Sequence, residues 1–190
     1  MLKDSETYHK LVAAAAACFA EKGFNATSVR EIATRAGISQ GAMYTYFKGK
    51  DELISAIVLE EQQSALSAQQ QSYQGTFLQR VCSLLGSCIS DVGYPVTHRL
   101  WVEIMAESAR NHALQQTFIA SDIAMRQGIA EIIVQGIAAG EFRHDIDTDE
   151  MTIMLFALVD GLIGRKAINK DFSVERDLPA FRDTLRRLLC

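Results

Sequence analysis

Residues 27–47 read TSVREIATRAGISQGAMYTYF, and the fold follows from that stretch. Its spacing predicts two short helices joined by a tight turn. Ser28 is placed to cap the first helix, and Glu31 follows three residues later, the spacing of a capping box. Val29, Ile32, Ala33 and Ala36 supply the apolar positions. Gly37 stops the helix, because glycine enters the left-handed region without a steric cost. Ser39 caps a second helix of about two turns, which Phe47 ends by anchoring it in a core. Two short helices around a glycine turn are the helix-turn-helix signal, whose second helix can enter a DNA major groove. An ordinary helical hairpin carries the same local pattern and stays open as the alternative.

Upstream, residues 6–22 form a helix in which Leu11, Ala14, Ala15 and Phe19 line one apolar stripe. Gly23 terminates it and Phe24 plugs a small core. Downstream, Gly49 breaks the chain. Lys50, Asp51 and Glu52 then open a longer helix, with the acids in its favourable first turn. It runs from about 50 to 70 through Leu53, Ile54, Ile57, Val58 and Leu66, with Tyr73 and Gly75 near its exit. Further helices are expected over residues 76–90, 96–110, 113–139, 149–168 and 176–189. Gly93 and Pro95 mark a loop, Asn111–His112 a junction and Gly140 a cap. In the polar loop EFRHDIDTD, Ile146 is the candidate for burial, and Thr148 or Asp149 caps the helix that follows.

The helix over 149–168 is apolar around its circumference, through Met151, Ile153, Met154, Leu155, Phe156, Leu158, Val159, Leu162 and Ile163. Such a helix is buried on all sides: one face enters the body core and the other needs a partner. Gly161 and Gly164 permit close backbone approach. The last helix carries its own stripe through Leu178, Phe181, Leu185, Leu188 and Leu189. Two such helices from each of two subunits would make a four-helix interface.

Composition agrees with an all-α chain. Its 190 residues are 48% hydrophobic with two prolines, enough for a small domain and a larger one. Residues 1–50 hold seven Lys or Arg against four acids, a net of +3, while the remainder holds twelve against nineteen, a net of −7. A basic head on an acidic body suits a head that meets phosphate. Cys18, Cys82, Cys88 and Cys190 form no C-x-x-C pair and the four histidines are scattered, which argues against a zinc site or a disulfide scaffold. No signal peptide is expected, and the alanine run at 12–17 is too short to span a bilayer. A cytoplasmic protein with no membrane partner is expected.

No catalytic constellation is visible. The sequence lacks a glycine-rich phosphate loop, a G-x-S-x-G motif and an HExxH motif, and no cofactor is implied. Asp145, Asp147 and Asp149 alternate, but without the glycine and terminal glutamate of a calcium loop; a solvated loop leading to a helix cap is the simpler account.

DNA, by contrast, finds suitable groups. Ser39, Gln40 and Gly41 start the second helix of the motif. Gln40 can pair bidentately with adenine, Gly41 lets the backbone approach a base, and Arg30 can reach a guanine edge. Thr27, Tyr44, Tyr46, Lys48 and Lys50 are hydroxyl and cationic groups suited to phosphate. Met43 either meets a thymine methyl or packs into the head. In the body, Trp101, Met105, Phe118, Asp122, Met125 and Leu158 are candidates to line a ligand pocket, with plain core as the other reading. Glu103 and Glu107 share one helix face, directed to solvent or to a cavity.

The run from Leu11 to Leu53 resembles the DNA-binding domain of the TetR family of bacterial transcriptional regulators. Carrying the resemblance are the Phe19–Gly23–Phe24 end of the first helix, the Ile32–Ala33 pair, the Ala36–Gly37 turn, Gly41, Tyr44, Tyr46–Phe47 and Lys50. Tyr46 stands where many relatives carry histidine. The resemblance implies an all-α fold of about nine helices. Residues 1–50 are then a three-helix DNA-binding head, and residues 51–190 a helical body for effector binding and dimerisation. It implies phosphate contacts for Thr27, Tyr44, Tyr46 and Lys50, and a homodimer through about 149–168 and 176–189. The function implied is that of a repressor released from a palindromic double-stranded DNA operator by a small-molecule effector. An activator or a ligand-independent DNA-binding dimer shares the fold. A helical enzyme lacks the residues it would need, and a pure protein-interaction module would leave Arg30, Gln40 and Tyr44 without a task.

Overall fold

The computed structural model of the chain describes residues 5–90, 96–169 and 171–190. The loop expected at Gly93 and Pro95 lies outside the described residues. Among the described residues the regular structure is helical throughout: α1 Glu6–Lys22, α2 Val29–Arg35, α3 Gln40–Met43, α4 Lys50–Gln70, α5 Phe77–Ser90, α6 His98–Ser108, α7 His112–Ala138, α8 Thr148–Ile168 and α9 Val174–Leu189. The chain clusters into two compact units. One comprises Met1–Gln62 and Gly93–Ser121, the other Gln63–Val92 and Asp122–Cys190.

In the first unit, Ser5 caps α1 by accepting from the Tyr8 N–H at 3.2 Å. Leu11, Val12, Ala15 and Phe19 lie fully or almost fully buried along one side of the helix. Burial of a side chain the size of Leu or Phe contributes roughly 1.5–3 kcal/mol. Gly23, at φ +83°, closes α1. Phe24 packs its ring 5.2 Å from that of Phe19. The capping box of α2 is complete: Glu31 N–H donates to Ser28 Oγ, and Ser28 N–H donates to Glu31 Oε2 at 2.8 Å. At the other end of α2, Ile38 N–H donates to Ala33 O at 3.0 Å and Gly37 N–H to Thr34 O at 3.1 Å. This is a Schellman closure, and Gly37 takes φ +72° to make it.

The second helix of the motif is shorter than its spacing suggests. Ser39 caps it, but α3 spans only four residues. The chain then tightens, with Thr45 N–H on Ala42 O and Tyr46 N–H on Met43 O. One turn fixes several dihedrals for few hydrogen bonds. With Gly41 inside it and β-branched Thr45 behind it, the sequence does not propagate the helix. Phe47 anchors the segment, buried and stacked on Tyr8 at 5.0 Å between centroids. α6 packs on α1 through the fully buried Leu100 and Ile104.

In the second unit, α5 faces α8 and α9. Val81, Cys82, Leu85 and Ile89 are buried on α5, and Leu178, Phe181, Leu185 and Leu189 on α9. Four residues of the α9 stripe are thus buried within the chain, while Leu188 is half-buried. The loop after α7 serves two helix ends. The Glu141 carboxylate accepts from Phe77 N–H and Leu78 N–H at 2.8 and 2.7 Å, capping α5 where its dipole favours an anion. Arg143 donates to the Leu188 and Leu189 carbonyls, each at 2.9 Å, closing α9. The residue of this loop that is buried is Phe142, not Ile146, which is only half-buried. Phe142 fills a slot left by Gly136, where a Cβ would stand 2.3 Å from the ring. The cap of α8 is Asp147, one residue before the expected pair, accepting from Asp149 N–H and Glu150 N–H at 3.0 Å.

Candidate nucleic-acid interface

The outward surface of α2 and α3 follows from which residues the head consumes. Ile32, Ala33, Met43 and Phe47 turn inward, which leaves Arg30, Thr34, Ser39, Gln40, Gly41, Tyr44, Thr45 and Lys48 exposed. Ser39 Oγ accepts from Ala42 N–H at 3.1 Å, so its hydroxyl starts α3. Gln40 Nε2 reaches Tyr44 Oη at 3.5 Å, one turn along the same face. Tyr44 is 50% exposed. At Gly41 a Cβ would meet nothing within 4 Å, so the backbone there is open to a base edge. The Lys48 side chain is 91% exposed, with Nζ 3.9 Å from Glu52 Oε1.

Two cations that add to the head's net charge are engaged in exposed ion pairs. Arg35 holds Glu21 bidentately at 2.8 and 2.7 Å, and Lys22 pairs with Glu31. The Lys22 bond, then the Ser28 N–H and hydroxyl, pull the Glu31 carboxyl down to about 2. Arg30 and Lys48 remain the outward cations of this surface, and Arg30 has no ion-pair partner among the described residues.

Thr27 and Lys50 are placed differently from the expectation, and Met43 takes the second of its two readings. Met43 is fully buried, so its thioether packs in the head and cannot meet a thymine methyl. Thr27 is buried too; its hydroxyl donates to Gly23 O at 2.8 Å and Cys18 O at 3.2 Å, leaving no surface for a phosphate. Lys50 spends its ammonium on Phe24 O at 2.7 Å and Asn25 O at 3.4 Å, 4.6 Å above the Phe24 ring. Of its three donors, one is left for phosphate. Tyr46 is half-buried and lines a cavity of about 450 Å³ with Tyr8, Phe47 and Leu59. Thr34 and Thr45 are exposed hydroxyls that the sequence reading passed over. Thr34 lies four residues from Arg30 on the same face of α2, a spacing legible in the sequence.

The pocket candidates are divided between the two units. In the first unit, Trp101 is buried with its ring 5.7 Å from Phe118, and Met105 is exposed. In the second, Asp122 pairs with Arg126 at 2.8 Å, and the Met125 carbonyl accepts from Gln69 Nε2 at 3.0 Å. Leu158 lines an open groove of about 430 Å³ between α8 and α9 with Leu162, Arg165 and Phe181. The two acids of α6 are also engaged: Glu107 holds Arg110 at 2.8 Å, and Glu103 accepts from Phe24 N–H at 2.5 Å. No group of three metal-ligating side chains occurs among the described residues, and no described helix is long and apolar enough to cross a membrane.

A capped helix, a glycine turn and a short second helix with bare polar groups define a helix-turn-helix DNA-binding protein. Comparison with known proteins agrees. Residues 11–57 match the description "Bacterial regulatory proteins, tetR family", and residues 65–189 match "BetI-type transcriptional repressor, C-terminal". The HTH-type transcriptional regulator UidR of Escherichia coli is 29% identical over 158 residues, 83% of this chain and 80% of UidR. The HTH-type transcriptional repressor KstR2 of Mycobacterium tuberculosis is 30% identical over 74% of this chain and 71% of its own. The structure of Salmonella enterica GusR, 28% identical, matches with a TM-score of 0.82 over 98% of this chain and 96% of GusR. The chain belongs to the TetR family of bacterial transcriptional regulators. It is a sequence-specific DNA-binding transcriptional regulator and not an enzyme.

Proposed function

We propose that the chain is a homodimeric repressor that leaves its operator when a small molecule binds the helical body. Residues 1–50 read DNA, and residues 51–190 bind the effector and the second subunit. The observation that carries this reading is the bare polar surface of α2 and α3, held from behind by the buried Ile32, Met43 and Phe47. Gln40 pairs with an adenine and Arg30 with a guanine edge. Tyr44, Tyr46, Lys48 and the remaining donor of Lys50 meet phosphates. Ser39 and Gly41 let the start of α3 approach the groove. Repression is supported by the BetI-type repressor match over the body.

The dimer is supported by α8. Thr152, Leu155, Val159 and Ile163 face its own unit, while Ile153, Met154, Leu158 and Ile168 stand exposed. Gly161 and Gly164 have nothing within 4 Å of a built Cβ, which leaves room for close approach. An exposed apolar stripe of this kind marks a protein contact. Two heads then read palindromic half-sites about one helical turn apart, roughly 34–36 Å, or a multiple of it. Trp101 with Phe118, and Met105, Asp122, Met125 and Leu158, are the side chains to vary in the search for the effector. The protein works in the cytoplasm, where its thiols stay reduced.

The test is selection of duplexes from a random-sequence pool by the full-length protein. Enrichment of palindromic sites, bound less tightly as salt rises, is the expected result. Enrichment of no sequence would sink the reading. An activator would be recognised by lower transcription of its target gene when the protein is deleted.

A further inference from the structure

Phe24 lies at the corner between α1 and α2, and its backbone needs partners that α1 does not supply. Gly23 N–H already closes α1 on Phe19 O at 2.8 Å. Gly23 then turns the chain at φ +83°, and Phe24 is buried, where an unpartnered N–H would be costly. The partner comes from 79 residues away: Glu103 Oε1 on α6, at 2.5 Å. The Phe24 carbonyl is held from α4, by Lys50 Nζ at 2.7 Å. One residue's backbone is therefore gripped on both sides by helices outside the helix-turn-helix. The corner it fixes runs through Thr27, whose hydroxyl donates back to Gly23 O, directly to the Ser28 cap of α2.

The carboxylate is otherwise badly placed. It sits by the C-terminus of α1, where the helix dipole disfavours an anion. A directed hydrogen bond accounts for its presence; dipole stabilisation does not. Leu100 and Ile104, fully buried on either side of it in sequence, keep α6 against α1. Gly23 owes its identity to φ +83°, and a Cβ there would stand 3.1 Å from Glu103 Oε1.

The geometry points to Glu103 as a positioning residue for DNA reading: α6 sets the placement of α2 and α3 through its hydrogen bond to the Phe24 N–H. This rests on the DNA-reading role of the head. A charge-assisted hydrogen bond is shorter and roughly twice as strong as a neutral one, which suits it to hold this corner.

The test uses the full-length protein with the duplex that the wild type enriches from a random pool, and with a scrambled duplex as control. E103Q keeps an acceptor of the same length and should bind the enriched duplex within about threefold of wild type. E103L should bind it at least about tenfold more weakly, while its affinity for scrambled DNA and its salt slope stay unchanged. In hydrogen exchange the Phe24 amide should be protected in wild type and E103Q and exposed in E103L. If E103L does not fold, E103D takes its place, keeping the charge but shortening the reach by one methylene. Wild-type affinity for the enriched duplex in a folded E103L or E103D would overturn the inference, and so would unchanged exchange at Phe24. Enrichment of no duplex by the wild type would overturn the DNA-reading assignment itself, and this inference with it.

Discussion

Two exposed helical surfaces among the described residues have opposite chemistry. On α2 and α3 the apolar residues turn inward, and Arg30, Gln40, Tyr44 and Lys48 face out. On α8 the pattern is reversed at the surface: Met154 is 59% and Ile168 81% exposed, beside Ile153 and Leu158. A polar surface loses little by staying in water until a phosphate or base edge replaces it. An apolar stripe is costly in water and calls for a partner of the same kind. The difference teaches that exposure alone does not name a binding site. The side-chain chemistry left outside distinguishes a surface suited to nucleic acid from one suited to another apolar surface.

The comparison breaks most sharply if the inward side of the head is hollowed. Phe47→Ala removes a buried ring stacked on Tyr8 and should cost about 3–5 kcal/mol. Urea unfolding would measure it, and a loss below about 1 kcal/mol would mean that Phe47 does not anchor α3. Next in size is Met154→Glu on the outward face of α8. Its exposure lets the monomer keep its fold, while a charge in the dimer contact should raise the dimer dissociation constant at least about a hundredfold. Sedimentation equilibrium reads this, and an unchanged dimer would remove α8 from the contact.

Smaller effects sharpen the polar side. Gln40→Ala should lose about 1–3 kcal/mol on the enriched duplex and almost nothing on scrambled DNA. Lys48→Ala should weaken both duplexes alike and lower the salt slope by about one. A Lys48 effect confined to one sequence would contradict a phosphate role.

The smallest prediction concerns pH. Glu31 has its carboxyl lowered from 4.5 to about 2 by Lys22 and Ser28. A carboxyl with a depressed folded value contributes stability above its unfolded value, and that contribution disappears as pH falls through the folded one. Stability should therefore decline between about pH 4.5 and 2, and Glu31→Gln should flatten that decline in acid titrations followed by circular dichroism. An identical decline in the variant would assign it to other carboxylates.

What was legible in the sequence was local. The limits of α1, the Ser28–Glu31 box, the turn at Gly37 and the Lys50–Gln70 helix depend on residues within about four positions of one another. Among the contact candidates, Gln40, Gly41, Tyr44 and Lys48 are on the surface because Met43 and Phe47, interleaved with them, are buried. The illegible parts depend on distant partners. Phe142 is buried because Gly136 leaves a slot, and a hydropathy pattern favours Ile146 equally well. Lys22 and Arg35 read as free charge until Glu31 and Glu21 are found beside them. Glu103 read as a pocket or solvent residue because Phe24, its partner, is 79 positions away. The shortness of α3 reflects marginal one-turn energetics, which residue spacing does not encode.

Both surfaces meet in one measurement: sedimentation of the full-length protein with a fluorescent duplex enriched from a random pool, beside a scrambled duplex. An even number of chains on the enriched duplex and little complex on the scrambled one is the predicted result. A single chain per duplex, or equal loading of both sequences, would contradict an account in which α2 and α3 read DNA and α8 joins two copies.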